Sequence, residues 1–169
     1  MRRRIFDNEG QAYFLTFSCY KRRRLLDDDR AKGIVIHFLS VQLRNQEGNC
    51  MGFVVMPDHV HALIHFREKG RLSTFMNQWK RRSSMELKRL YEKKLFSYSE
   101  RIDADDPMWQ PKYYAFDVYS ETMAREKLEY MDNNPLKAGM VNNSVDWPYS
   151  SAHWYLSGRS VGVEINTVI

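Results

Sequence analysis

The sequence predicts an α+β fold: a ferredoxin-like core in the order β-α-β-β-α-β, an added helix, and an aromatic C-terminal tail. Three observations carry this. Short runs rich in aromatic and β-branched residues alternate with segments of helical periodicity. Two of the apolar runs, Cys50–Met56 and His59–Phe66, are parted only by Pro57 and Asp58, which puts a hairpin mid-chain. The chain has 169 residues, the size of one domain that can bury a core without staples. The whole span 1–169 reads as one unit, with the core over about 12–135 and a C-terminal extension over about 136–169.

Each element has its own signal. "AYFLTFSCY", Ala12 to Tyr20, is a strand with Tyr13, Leu15 and Phe17 on one face. A basic turn and the acidic run Asp27 to Asp29 follow. Asp28 or Asp29 can cap a helix that starts near Arg30, whose apolar stripe is Ile34, Phe38, Val41 and Leu43. Gly48 is the expected breaker. The hairpin strands come next. Leu72 to Phe96 has helical spacing, with Phe75, Trp79, Leu87, Leu90 and Leu95 as apolar members and Ser73 as the candidate N-cap. A polar loop leads to a fourth strand near Tyr113 to Tyr119. Ser120 opens a further helix that ends at or close to Pro135.

Composition narrows the function classes. No apolar run approaches the ~18 residues of a membrane span. "MRRRIFDNEGQ" has no apolar region behind its basic residues, so it is not a signal peptide. Cys19 and Cys50 form no disulfide framework and read as reduced, buried thiols of a cytoplasmic protein. Lys and Arg total 26 against 21 Asp and Glu, a net charge of +5 and a pI of about 9.2. The bases segregate into Arg2-Arg3-Arg4, Lys21-Arg22-Arg23-Arg24 and Lys80-Arg81-Arg82. Such clusters are either solvated faces or contacts to a phosphate backbone.

Three of the five histidines fall within the seven residues His59 to His65. On a strand, His59, His61, Leu63 and His65 share one face, while Val60, Ala62, Ile64 and Phe66 share the other. Two imidazoles at i and i+2 either form the polar face of an antiparallel sheet or converge on one ion above it. In the second case two ligands leave a divalent ion open to a substrate oxygen. No cysteine pair has the spacing of a structural zinc site.

The last long helix poses a second question. Ala124, Leu128 and Met131 make its core stripe, and Tyr130 lies about 120° from the centre of that stripe. Asn134 is one turn beyond Tyr130 on the same face, and Lys127 joins them. The tyrosine is either an amphipathic residue at the core's rim with its hydroxyl in water, or a nucleophile. A free phenol, with a pKa near about 10, needs activation or a polarised electrophile at neutral pH.

These residues together resemble the single-tyrosine HUH transposases, and within that insertion-sequence (IS200-like) superfamily the REP-associated tyrosine transposases. His59-Val60-His61 after "MPDH" matches the His-apolar-His signature. "NNPLKAGMV" is similar to the subfamily's Asn-Pro-x-x-Ala-Gly pattern, and "WPYSSAHWY" to its Trp-x-x-Ser-Ser-x-x-x-Tyr tail. With "MWQPKYY" the resemblance runs from about Tyr13 to Tyr155.

The resemblance implies a divalent metal, Mg2+ or Mn2+, held by His59 and His61. It implies Asn134 as third ligand, where many relatives carry the longer Gln. It implies Tyr130 as nucleophile, forming a 5′-phosphotyrosine and a free 3′-hydroxyl. The implied substrate is single-stranded or hairpin DNA, REP-like palindromes with a short flank. Relatives commonly work as dimers, so the resemblance allows a homodimer. Candidate DNA-backbone contacts are Arg2, Arg3, Arg4, Lys21, Arg22, Arg23, Arg24, Lys80, Arg81, Arg82 and Lys127, with Trp79 and Trp109 as stacking surfaces. The alternatives are a domesticated, catalytically silent binder of hairpin DNA, and a metal-binding or small-molecule domain without a DNA partner.

Overall fold

The computed structural model describes residues 11–94, 103 and 105–167. The expected order of elements is found: β1 (Gln11–Ser18), α1 (Asp29–Asn45), β2 (Gly48–Val55), β3 (His59–Phe66), α2 (Leu72–Lys94), β4 (Tyr114–Val118) and α3 (Glu121–Lys137). A short helix α4 (Ala152–Ser157) lies in the tail. The strands form one four-stranded sheet in the order β2-β3-β1-β4, every neighbour antiparallel. β1 and β2 are thus parallel with β3 between them, and β3 and β4 parallel with β1 between them. Parallel strands need a crossover, which α1 and α2 supply.

Helix ends follow local chemistry. Asp28 caps α1 by accepting from the Arg30 N–H at 2.8 Å, and Ser120 caps α3 by accepting from the Met123 N–H at 3.1 Å. Ser73 lies inside the first turn of α2 instead of capping it. The left-handed residue after α1 is Glu47 (φ 53°), not Gly48. Gly48 serves packing instead: a Cβ there would meet Leu43 and Phe66 at 3.1 Å. Helix α3 runs two residues past Pro135 and closes by Gly139 N–H to the Leu136 carbonyl (3.1 Å) and Met140 N–H to the Pro135 carbonyl (3.0 Å). Gly139 takes φ 71°, so "NPLKAGM" encodes a Schellman stop.

The sheet has two unlike faces. Helices α1 and α2 cover one, burying Leu15, Phe17, Val60, Ala62 and Ile64 with Val35, Leu39, Phe75 and Trp79. Each buried Leu, Ile, Val or Phe among them contributes about 1.5–3 kcal/mol by leaving water. Trp79 and Trp109, expected as stacking surfaces for DNA, belong to this core, at 0% and 4% exposure. Both rings meet Phe17 edge-on at 4.7 Å, and their N–H groups donate to the Val35 carbonyl and the Ser83 hydroxyl. Neither ring can reach an unpaired base.

Helix α3 covers the other face, where Ala124 and Met131 meet Ala12, Phe14, Leu63 and Val118. Gly52 lets α3 sit directly on β2, since a Cβ there would lie 2.3 Å from Leu128. The tail then lies along β2. Val55 N–H donates to the Tyr149 carbonyl (2.8 Å), and Ser151 N–H to the Phe53 carbonyl (3.0 Å). The Ser151 hydroxyl accepts from the Phe53 N–H (3.0 Å), and the Trp147 indole donates to the Val55 carbonyl (3.1 Å). Lys32 is buried under the Trp147 and Tyr149 rings, its ammonium donating to the Asp27 carbonyl at 2.7 Å. Cys19 and Cys50 are buried, unpaired thiols.

Candidate active site

β3 pairs with β1 so that Thr16 lies opposite His61 and Ser18 opposite His59. Alternation along β3 puts both histidines on the α3 face, with ring centroids 4.8 Å apart. Each Nδ1 has a protein partner: that of His59 lies 2.7 Å from Asp58 Oδ1, and that of His61 2.8 Å from the Thr16 hydroxyl. A carboxylate only accepts, so in the neutral His59 ring Nδ1 carries the proton and Nε2 keeps its lone pair. Burial, with the charges of His59, Arg22 and Lys127 beside it, pushes the His61 imidazolium down to about 3 from 6.5. His61 is therefore neutral at pH 7, the state a metal ligand needs. Contacts of this kind hold an imidazole in one orientation.

Tyr130 of the same chain reaches this pair. Its ring centroid is 5.5 Å from His61 and 6.0 Å from Phe14, which stacks on His61 at 5.2 Å. Phe14 thus buttresses the histidine and the tyrosine together. Tyr130 stays 47% exposed, open to a substrate, and Lys137 places its ammonium 5.9 Å from the ring. Asn134 follows one turn along α3, half-buried, its backbone carbonyl taken by Ala138 N–H. Among the described residues no three His, Cys, Asp or Glu side chains gather around a common point. Two imidazoles are the groups brought together here, and Asn134 lies on the helix that covers this face. His65 shares the face but is buried with neither ring nitrogen bonded.

Comparison with known proteins identifies the family. The model for "Transposase IS200 like" matches residues 9–134, a span that takes in His59, His61, Tyr130 and Asn134. The chain belongs to the IS200-like transposases. A REP-associated tyrosine transposase of Escherichia coli (strain K12) is 23% identical over 145 residues, covering 86% of this chain and 78% of the relative. A relative from Haemophilus influenzae is 24% identical over 169 residues, covering 93% and 85%. The solved structure of a REP-associated tyrosine transposase bound to a REP hairpin superposes with a TM-score of 0.66 at 20% identity, over 100% of this chain and 93% of that one. That likeness supports the fold described above.

In a transposase the basic residues matter next, and the structure gives them different surroundings. Arg2, Arg3 and Arg4 lie outside the described residues. Lys21 and Arg22 occupy a tight turn, both with left-handed backbone (φ 54° and 55°). Lys21 is exposed, its ammonium 5.2 Å from the Tyr20 ring. Arg22 donates to the Ser18 hydroxyl (2.9 Å) and pairs with Asp58 Oδ2 (3.2 Å). Arg23 pairs with Asp106 and Arg24 with Asp27. Lys80 donates to the Gln110 and Pro111 carbonyls at 2.8 and 3.0 Å and so braces a loop. Arg81 and Arg82 are exposed on α2, whose core contacts are with the face opposite the histidines. Lys127 sits over Phe14 and Phe116, at 5.0 and 4.7 Å, next to Tyr130's own support. Among the described residues, no helix is long and apolar enough to cross a membrane.

Two contributors escape a reading of the sequence. Asp58 could have been suspected, since it directly precedes His59. Thr16 has no local signal, because only the β1–β3 register brings it to His61.

Proposed function

We propose that this transposase cuts and rejoins single-stranded hairpin DNA, with Tyr130 as nucleophile and His59, His61 and Asn134 as the residues that would hold Mg2+ or Mn2+. The observation that carries the reading is the arrangement of one chain's His59, His61 and Tyr130. Both Nδ1 atoms are engaged by Asp58 and Thr16, both Nε2 atoms are left for a ligand, and the tyrosine ring stands against His61. Two nitrogen donors and one amide suit a divalent ion with open positions. When bound there, such an ion supplies a Lewis acid that draws charge from a phosphate oxygen.

The chain's own residues do the rest. Phe14 fixes the ring positions of His61 and Tyr130, so the phenol oxygen meets a phosphate within a set geometry. That oxygen bonds to phosphorus while the bond from phosphorus to the 3′ oxygen breaks. The phenol loses its proton to solvent and the departing 3′ oxygen gains one. The phosphodiester is conserved as a phosphotyrosine, so a second 3′-hydroxyl reverses the step without an energy source. Lys21, Arg81, Arg82 and Lys127 are candidate cations for the DNA backbone, with Arg2 to Arg4 candidates by sequence, and Arg22, Arg23 and Arg24 would meet a phosphate by exchanging it for their carboxylate partners. The two reduced thiols suit work in the cytoplasm.

The test is a denaturing gel after incubation with Mn2+ and a labelled REP-like hairpin. Wild type yields a covalent protein–DNA band, and Tyr130→Phe and His59→Ala yield none. A covalent band with Tyr130→Phe would remove Tyr130 as nucleophile. A band shift without any covalent product from wild type would favour a silent hairpin binder.

A further inference from the structure

The turn between β2 and β3, which carries Asp58 into His59, is tied down by backbone bonds. Cys19 N–H donates to the Asp58 carbonyl (2.9 Å), Leu26 N–H to the Pro57 carbonyl (2.9 Å) and Met56 N–H to the His59 carbonyl (2.8 Å). These bonds fix the main chain of Asp58 but not the direction of its carboxylate. The terminal torsion of an Asp side chain has broad wells, and this one, 26% exposed, has water as an alternative partner.

Arg22 supplies the missing constraint. Its Nη2 stands 3.2 Å from Asp58 Oδ2, and its Nη1 donates to the Ser18 hydroxyl at 2.9 Å. Ser18 lies opposite His59 on β1, and the other Asp58 oxygen meets His59 Nδ1 at 2.7 Å. With one carboxylate oxygen held from outside, the second faces inward. The line runs from solvent to the site, since the side chains of Arg22, Asp58 and His59 are 57%, 26% and 12% exposed.

The backbone singles out the same residue. Lys21 and Arg22 are consecutive left-handed residues that carry side chains (φ 54° and 55°). Such a conformation is unfavourable and persists where surrounding contacts demand it. Arg22 N–H to the Cys19 carbonyl (2.9 Å) and Arg23 N–H to the Tyr20 carbonyl (3.2 Å) close the turn. The turn also divides the basic run. Arg23 pairs with Asp106 and Arg24 with Asp27, while Arg22 pairs with the carboxylate that touches a candidate ligand.

We infer that Arg22 is a positioning residue: through Asp58 it holds the His59 ring with Nδ1–H engaged and Nε2 turned toward the metal position. The inference rests on the reading of His59 as a metal ligand. Two effects of opposite sign meet at Arg22. As a brace it favours metal binding by aligning the imidazole, and as a cation it opposes metal binding by repulsion. Its removal therefore weakens binding if the brace matters and tightens it if only the charge does.

The full chain, free of DNA, is titrated with Mn2+ by calorimetry, and the His59 Nδ1–H is followed by NMR in metal-free protein. Arg22→Met, which keeps an apolar stem without donor or charge, weakens Mn2+ binding about tenfold and loses the Nδ1–H signal to exchange with water. Its urea midpoint stays near that of wild type, because an ion pair this exposed contributes little to stability. Arg22→Lys, which restores a cationic donor, recovers much of both losses. In an Asp58→Ala background Arg22→Met causes no further weakening, since the route through Asp58 is already cut. Unchanged or tighter Mn2+ binding by Arg22→Met, an Nδ1–H signal that survives in it, or equal weakening without Asp58 overturns the assignment. A wild type that binds no Mn2+ overturns the metal reading instead, and the Nδ1–H comparison still decides whether Arg22 orients the ring.

Discussion

The two outer strands of the sheet meet their surroundings in opposite ways. β2 is sealed by the chain's own tail, which pairs with its backbone at Phe53 and Val55 and packs Trp147 against it. β4 is left open: Tyr114, Ala115, Phe116 and Asp117 are all exposed. An unprotected edge is a liability that proteins usually blunt. This chain protects one edge and leaves aromatic residues on the other, two strands from His61. The difference separates the two edges: β2 and the tail secure the platform, while β4 keeps exposed aromatic side chains on the sheet.

Breaking the sealed edge gives the largest expected effect. Trp147→Ala removes a buried indole and its hydrogen bond to Val55, and lowers unfolding free energy by about 3–5 kcal/mol in urea titration. Ser151→Ala leaves the buried Phe53 N–H without its side-chain acceptor and costs about 1–3 kcal/mol by the same measurement.

Between the edges, His61 on β3 adds a pH dependence. Its folded pKa, about 3, is below the ordinary 6.5, so between these values the unfolded chain binds more protons and stability rises with pH. The contribution is fully present above 6.5 and is lost as pH falls toward 3. In metal-free buffer, His61→Gln flattens that rise by at most about 1.4 kcal/mol per pH unit. The smallest effect belongs to the open edge. Tyr114→Thr, at an exposed position, changes unfolding free energy by less than about 0.5 kcal/mol in the same titration.

Much of this was legible in the sequence because it depends on local periodicity. Alternation placed His59 and His61 on one face, the 100° helical step placed Tyr130 off the core stripe, and Asp28 and Ser120 announced their helices. What was not legible depends on long-range pairing. Trp79 and Trp109 look like free aromatics near basic residues until Phe17 is seen between them. Lys80 looks like a phosphate contact until the Gln110 loop folds over it. Thr16 is an ordinary strand residue, and its value comes from a neighbour 45 positions away. The openness of β4 likewise cannot be read from "YYAFDVY", which is as apolar as a buried strand.

The placement of Tyr130 against His61 of its own chain has a kinetic consequence. One molecule holds both halves of the proposed reaction centre, so adduct formation is first order in protein and its rate per chain stays constant on dilution. The expected outcome of mixing Tyr130→Phe with His61→Ala is no adduct on a denaturing gel, and recovery of the adduct would put the two halves on different chains.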